Sequence, residues 1–228
     1  MFLLDVPVSI THDLVGSLAG ALDPVAGGLA APAAIILFTA AVRLLLVPLA
    51  VAQARGERAR LRLLPKMRAL QKKHARDPER LRREMAGLYA AEGASPLAGC
   101  LPALAQWPFF AVMYQLFVSA TVAGHQNLLL THTLAGVPLG QNLLSVGLFS
   151  PGALVFLVLL VLLGLVAWWS SRRVTAEGPM GRVARLLPFG TVAVAAFVPL
   201  AAGLYLLTST AWAAAERAIL HRRVVAAS

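Results

Sequence analysis

Long stretches without a single lysine or arginine, separated by dense basic blocks, are what most limits how this chain can fold. No Lys or Arg occurs from Met1 to Val42, and none from Gly99 to Ser171. Twelve fall between Arg55 and Arg83, four more at Arg172, Arg173, Arg182 and Arg185, and Arg217, Arg222 and Arg223 follow. Loops that stay on the cytoplasmic side of a membrane collect Lys and Arg, whereas exported loops do not. The alternation therefore predicts a polytopic membrane protein, with the basic blocks inside.

Composition agrees with this. Hydrophobic residues make up 59% of the 228, and only 13% are charged, too few to cover the surface of a soluble domain. The net charge of +10 sets topology and calls for no specific nucleic acid. Cys100 is the sole cysteine, so no intrachain disulfide can form.

The chain divides accordingly. Residues 1–27 carry Asp5, Asp13 and Asp23 and no base. That fits neither a secretory signal nor an Arg-rich transit peptide; a short amphipathic element on the outer face is expected, with a loose tail as the alternative. Residues 28–52 form the first span, about 20 residues being enough to cross the hydrocarbon. Residues 53–96 make a cytoplasmic helical hairpin. Leu63, Met67 and Leu70 give its first stripe, and Leu81, Met85, Leu88 and Tyr89 its second. Asp77-Pro78-Glu79 starts the second helix: an N-cap carboxylate, a proline whose missing N–H costs nothing, and an acid in the first turn. A second span is placed at 97–123, an uncharged outer loop at 124–150 and a third span at 151–171, ending in the interfacial pair Trp168-Trp169. A cytoplasmic loop follows at 172–182. The last apolar run admits one long helix or two short ones hinged near Pro199. The basic residues after it favour two, at 183–198 and 199–217, with a cytoplasmic tail at 218–228.

Arg43 stands out. It lies about nine residues, roughly 13 Å, from the end of its span at Ala52, a depth at which an arginine costs about 2.5–3.5 kcal/mol. It must face protein or water. Two readings remain open: a structural arginine bonded to backbone carbonyls, or a positive charge offered to a hydrated pocket. Signals for chemistry are weak elsewhere. His125 and His132 share a loop at a spacing that makes a poor metal site, no acid or histidine stands beside Thr208, Ser209 and Thr210 to make a nucleophile, and there is no phosphate loop. No enzyme, metal or cofactor is expected.

The segment AIILFTAAVRLLLVPLAVAQ, with Arg43, Pro48-Leu49 and Gln53, resembles the first core span of the YidC/Oxa1/Alb3 insertases. Gly99-Cys100-Leu101-Pro102, Gln106, Pro108-Phe109 and Tyr114 are similar to the entry into that family's second span. Pro188, Pro199, Tyr205, Thr208-Ser209 and Trp212 are similar to its last two. The likeness covers roughly residues 33–223. Departures at Ser95, Leu206, Thr210 and Glu216 suggest a divergent paralogue of the minimal bacterial form, without the large outer domain, extra leading span or long basic tail of some members.

The resemblance implies an all-α protein of five transmembrane helices around a hydrophilic groove open to the cytoplasm, in a bacterial plasma membrane, N-terminus out and C-terminus in. Arg43, Thr39, Gln106, Tyr205 and Thr208 would line the groove. Phe109, Phe110, Met113, Phe117 and Phe189 would form the slide along which a client helix reaches lipid. Lys66, Arg68, Lys72, Lys73, Arg80, Arg82 and Arg83 on the hairpin would recruit clients or ribosomes. The implied partners are nascent membrane proteins, the lipid bilayer, the ribosome and the Sec translocon, and the implied activity is insertion and folding of membrane proteins. The competing reading is a small transporter or channel using Arg43 as an anion site, against which the hairpin and the lack of an internal repeat both count.

Overall fold

The computed structural model describes residues 2–92, 101–122, 124–174 and 178–225, and most of them are helical. The chain forms two compact units, one of Met1–Leu44 with Phe109–Ser228, the other of Leu45–Pro108.

In the first unit, α1 (Phe2–Ala26) passes through a 3₁₀ turn at Gly27–Leu29 into α2 (Ala30–Leu45). The N-terminal segment is thus a 25-residue helix, longer than the short interfacial element expected. It buries Val8, Val15 and Ala19 in the core and leaves Val6, Ile10 and Leu14 exposed, so both of its faces are apolar. Two described stretches are long and apolar enough to cross a membrane, Asp5–Leu45 and Ala153–Ser171.

The last turns of α5 (Leu101–Val118) lead into a compact loop region. Two short antiparallel pairs, β1 (Thr121–Val122) with β2 (His125–Gln126) and β3 (Thr133–Leu134) with β4 (Val137–Pro138), are its extended elements among the described residues. The one-turn α6 (Leu143–Val146) follows. Three longer helices complete the unit: α7 (Ala153–Ser171), α8 (Gly178–Ala195) and α9 (Leu200–Val225). Pro199 separates the last two, since it has no N–H with which to continue the ladder.

α7 packs against both α8 and α9. Its buried residues Phe156, Leu159, Leu163 and Ala167 recur every three to four positions, while Leu154, Leu157, Val158, Val161, Leu162 and Leu165 are exposed. A helix that is apolar all round has the pattern of a membrane span or a buried core helix. Where α7 meets α9 the contact depends on a missing side chain: a Cβ on Gly203 would stand 2.5 Å from Cδ2 of Leu159. Small residues let helix backbones approach in just this way. At the far end of α7 the guanidinium groups of Arg172 and Arg173 lie over the Trp168 and Trp169 rings, 4.5 and 4.1 Å from the ring centres. This couples the aromatic anchor to the basic one.

In the second unit α3 (Val47–Lys73) begins with Pro48 in its first turn and runs without a break past residues 52 and 53. The expected boundary between first span and hairpin is therefore not a helix end. The interruption comes earlier, at Leu46, because Pro48 cannot donate to the carbonyl of Leu44. A tight turn closes with the His74 N–H on the Leu70 carbonyl and the Asp77 N–H on the His74 carbonyl. α4 (Pro78–Ala91) then starts as its sequence predicts: the Asp77 side chain accepts from the Arg80 N–H at 3.0 Å. Tyr89 donates to the Met67 sulfur at 3.4 Å, and Lys66 pairs with Glu92. These side-chain contacts join α3 to α4 into the hairpin.

Candidate functional site

α2 carries Thr39 and Arg43 one turn apart. Thr39 is fully buried and spends its hydroxyl proton on the Ile35 carbonyl, 2.7 Å away. Arg43 instead leaves its own helix. Its Nε donates to Oγ of Ser209 at 3.0 Å, and Nη2 donates to the same oxygen. Ser209 is buried on α9. The hydroxyls beside it are committed to their own helix, Thr208 to the Leu204 carbonyl and Thr210 to that of Leu206. Ser209 is thus the hydroxyl of this stretch that meets the arginine.

Tyr205, one turn before Ser209 and nearly buried, lies beside both Ser209 and Arg43. Its ring packs on Phe117 of α5 with centroids 6.0 Å apart. Glu216, two turns beyond Ser209, and its neighbour Arg217 also lie within the field of Arg43. Neither forms an ion pair with it among the described residues. Arg217 donates to its own helix at the Ala213 carbonyl. The site is therefore a partly buried cation held by one neutral hydroxyl between apolar helices. A charge so placed is less screened than one in bulk water.

The start of α9 is tied to the loop region by backbone. The N–H groups of Leu200 and Ala201, orphans at the start of α9, donate to the carbonyls of Gln141 and Leu139 in the loop region, at 2.8 and 2.9 Å. Asn127, fully buried, donates from Nδ2 to the carbonyls of Leu116 and Ser119 at the end of α5. Gly152 lets the start of α7 fit under Val137 and Val146, which a Cβ would meet at less than 3.0 Å.

Of the expected groove residues, Arg43 and Tyr205 come together, Thr39 sits one turn away, and Thr208 is turned to its own backbone. The side chains of Gln106, Phe109 and Phe110 lie outside the described residues. Met113 and Phe117 are fully buried in the core, and Phe189 on α8 is exposed. On the hairpin, Lys66 is taken up by Glu92 and Arg83 by Glu79 at 3.4 Å. Arg68, Lys72, Lys73, Arg80 and Arg82 are exposed. Between α3 and α4 lies an open cleft of about 630 Å³ with Leu70, Gly87 and Leu88 in its walls and Lys66, Lys73 and Arg83 at its rim. Ser209 is absent from the expectation, yet Tyr205, Ser209, Trp212 and Glu216 follow a helical stripe at steps of four, three and four. That periodicity selects Ser209 over Thr208.

The family model described as 60Kd inner membrane protein matches residues 24–227. The membrane protein insertase YidC of Zymomonas mobilis is 33% identical over 177 residues, 75% of this chain and 30% of that protein. The YidC insertase of Acidiphilium cryptum is 30% identical over 195 residues, 82% of this chain and 31% of its own length. That of Streptomyces avermitilis is 38% identical over 105 residues, 46% and 24% respectively. The chain spans under a third of the length of these relatives.

Proposed function

The chain belongs to the 60Kd inner membrane protein family, to which the YidC insertases belong, and we infer that it inserts and helps fold membrane proteins as they are made. The observation that carries the reading is Arg43, a cation held on Ser209 among apolar helices with no ion-pair partner among the described residues. An acidic or polar client tail entering beside it exchanges water for an oriented charge, and so pays less to leave the aqueous phase. Burial of the client's apolar span in lipid then drives the step.

In this reading α2, α5, α7, α8 and α9 are the five spans of a bacterial plasma-membrane protein, N-terminus outside and C-terminus cytoplasmic. Arg43, Tyr205 and Ser209 face a groove open to the cytoplasm, with Thr39 buried one turn from Arg43 and Thr208 at the groove's edge. The loop region of residues 119–152 closes the outer end. Phe109, Phe110 and Phe189 offer the slide, backed from the interior by Met113 and Phe117. The exposed bases of the hairpin receive clients, ribosomes or the Sec translocon. No covalent step is required.

The test is reconstitution. Vesicles holding the purified full chain are given a single-span client with an acidic tail, and protease protection of the tail is measured. Protection above that of empty vesicles, lost with Arg43→Ala, is the expected result. Equal protection in empty vesicles overturns the reading.

A further inference from the structure

Glu216 is the one acid on α9, and nothing above gives it a task. It lies seven residues beyond Ser209, just under two turns, so it shares the face that meets Arg43 and stands about 10 Å further along the axis. Its carboxylate feels both Arg43 and Arg217, but neither is bonded to it. Arg43 is engaged with Ser209, and Arg217 donates to the Ala213 carbonyl. Oε1 of Glu216 is buried and has no hydrogen-bond partner among the described residues, although the residue as a whole is partly exposed. A carboxylate oxygen sequestered without a donor is costly, and a cationic donor is the group that best relieves it.

We propose that Glu216 is a cation site of the groove, taking the ammonium or guanidinium group that flanks a client's apolar span on its cytoplasmic side. This rests on the insertase reading and on α9 running toward the cytoplasm at this end. Arg43, reaching from α2 to Ser209, and Glu216 then set opposite charges along the same side of α9. The acidic end of a client is drawn toward the bilayer centre and its basic flank is held back at the cytoplasmic edge. Membrane proteins carry an excess of Lys and Arg on the cytoplasmic side of their spans, so Glu216 reads orientation where Arg43 reads polarity.

The test uses the full chain in vesicles with a client whose span has a single flanking lysine. A zero-length carbodiimide should form an amide between that lysine and Glu216, located by mass spectrometry and lost in the isosteric Glu216→Gln. In parallel, Glu216→Lys should lower insertion of the lysine-flanked client about fivefold, the scale of a half-exposed ion pair, and favour a client carrying glutamate there. No amide at Glu216, or the same preference for flank charge in wild type and Glu216→Lys, overturns the proposal. If the amide forms but no client is inserted whatever its flank, the cation site stands and the insertase reading falls. If insertion is normal and indifferent to Glu216, the insertase reading stands and the cation site falls.

Discussion

Arg43 and Ser209, 166 positions apart in the chain, are joined by Nε donating to Oγ at 3.0 Å, and Nη2 shares the same acceptor. A hydrogen bond to a charged group contributes about 1.5–3 kcal/mol. Ser209→Ala is therefore expected to lower the melting temperature of the detergent-purified protein while leaving the charge, and insertion of acidic-tailed clients, in place. Melting unchanged from wild type would show that the contact adds nothing to the fold.

Arg43→Ala is expected to abolish insertion of acidic-tailed clients, since one charge pair at about 4 Å is worth roughly 4 kcal/mol at an effective dielectric near 20. Arg43→Lys should keep much of the activity yet melt earlier, because an ammonium cannot reproduce the planar fork on Ser209. Insertion assays and melting curves on both variants separate charge from architecture.

At the α7–α9 contact, Gly203→Val should destabilise by about 1–3 kcal/mol through overpacking against Leu159. Pairing it with Leu159→Ala should cost less than the two changes summed, because each makes room for the other. A double variant whose melting loss equals that sum would mean the two side chains do not meet.

Asp77→Ala removes the acceptor for the Arg80 N–H and should cost the hairpin about 1 kcal/mol. Hydrogen exchange across Pro78–Ala91 is expected to quicken by roughly the fivefold this implies, with exchange in Ala153–Ser171 unchanged.

Topology is checked with single cysteines on a Cys100→Ser background. His132→Cys should react with an impermeant maleimide added outside intact cells. Arg173→Cys should react only after lysis. The reverse pattern would invert the proposed orientation.

What could be read from the chain was what its residues determine locally. Asp77-Pro78 starts α4 because an N-cap and a proline act within one turn. Pro199 ends a helical run because it lacks an N–H. The apolar run at residues 151–171 is a helix long and apolar enough to cross a membrane, Ala153–Ser171, because its uninterrupted aliphatic residues leave no break in the ladder. Leu46 escaped notice because the effect of Pro48 falls on residues before it, inside a run that hydropathy alone treats as uniform. The length of α1 is not legible in its composition, since its buried stripe of Val8, Val15 and Ala19 only makes sense with the rest of the core in place. Ser209 was missed for a related reason. Its partner lies on another helix, and only phase relative to Tyr205 distinguishes it from Thr208.

The cap on α9 has a consequence for how this sequence can drift. Leu200 and Ala201 are held by the carbonyls of Gln141 and Leu139, and a carbonyl belongs to every residue type alike. Substitutions at 139 or 141 that keep the backbone path cannot delete those acceptors, whereas a one-residue insertion or deletion between 139 and 141 would put the two carbonyls out of register with the two N–H groups. The cap itself therefore sets no side-chain identity at 139 or 141, only the spacing between the two carbonyls.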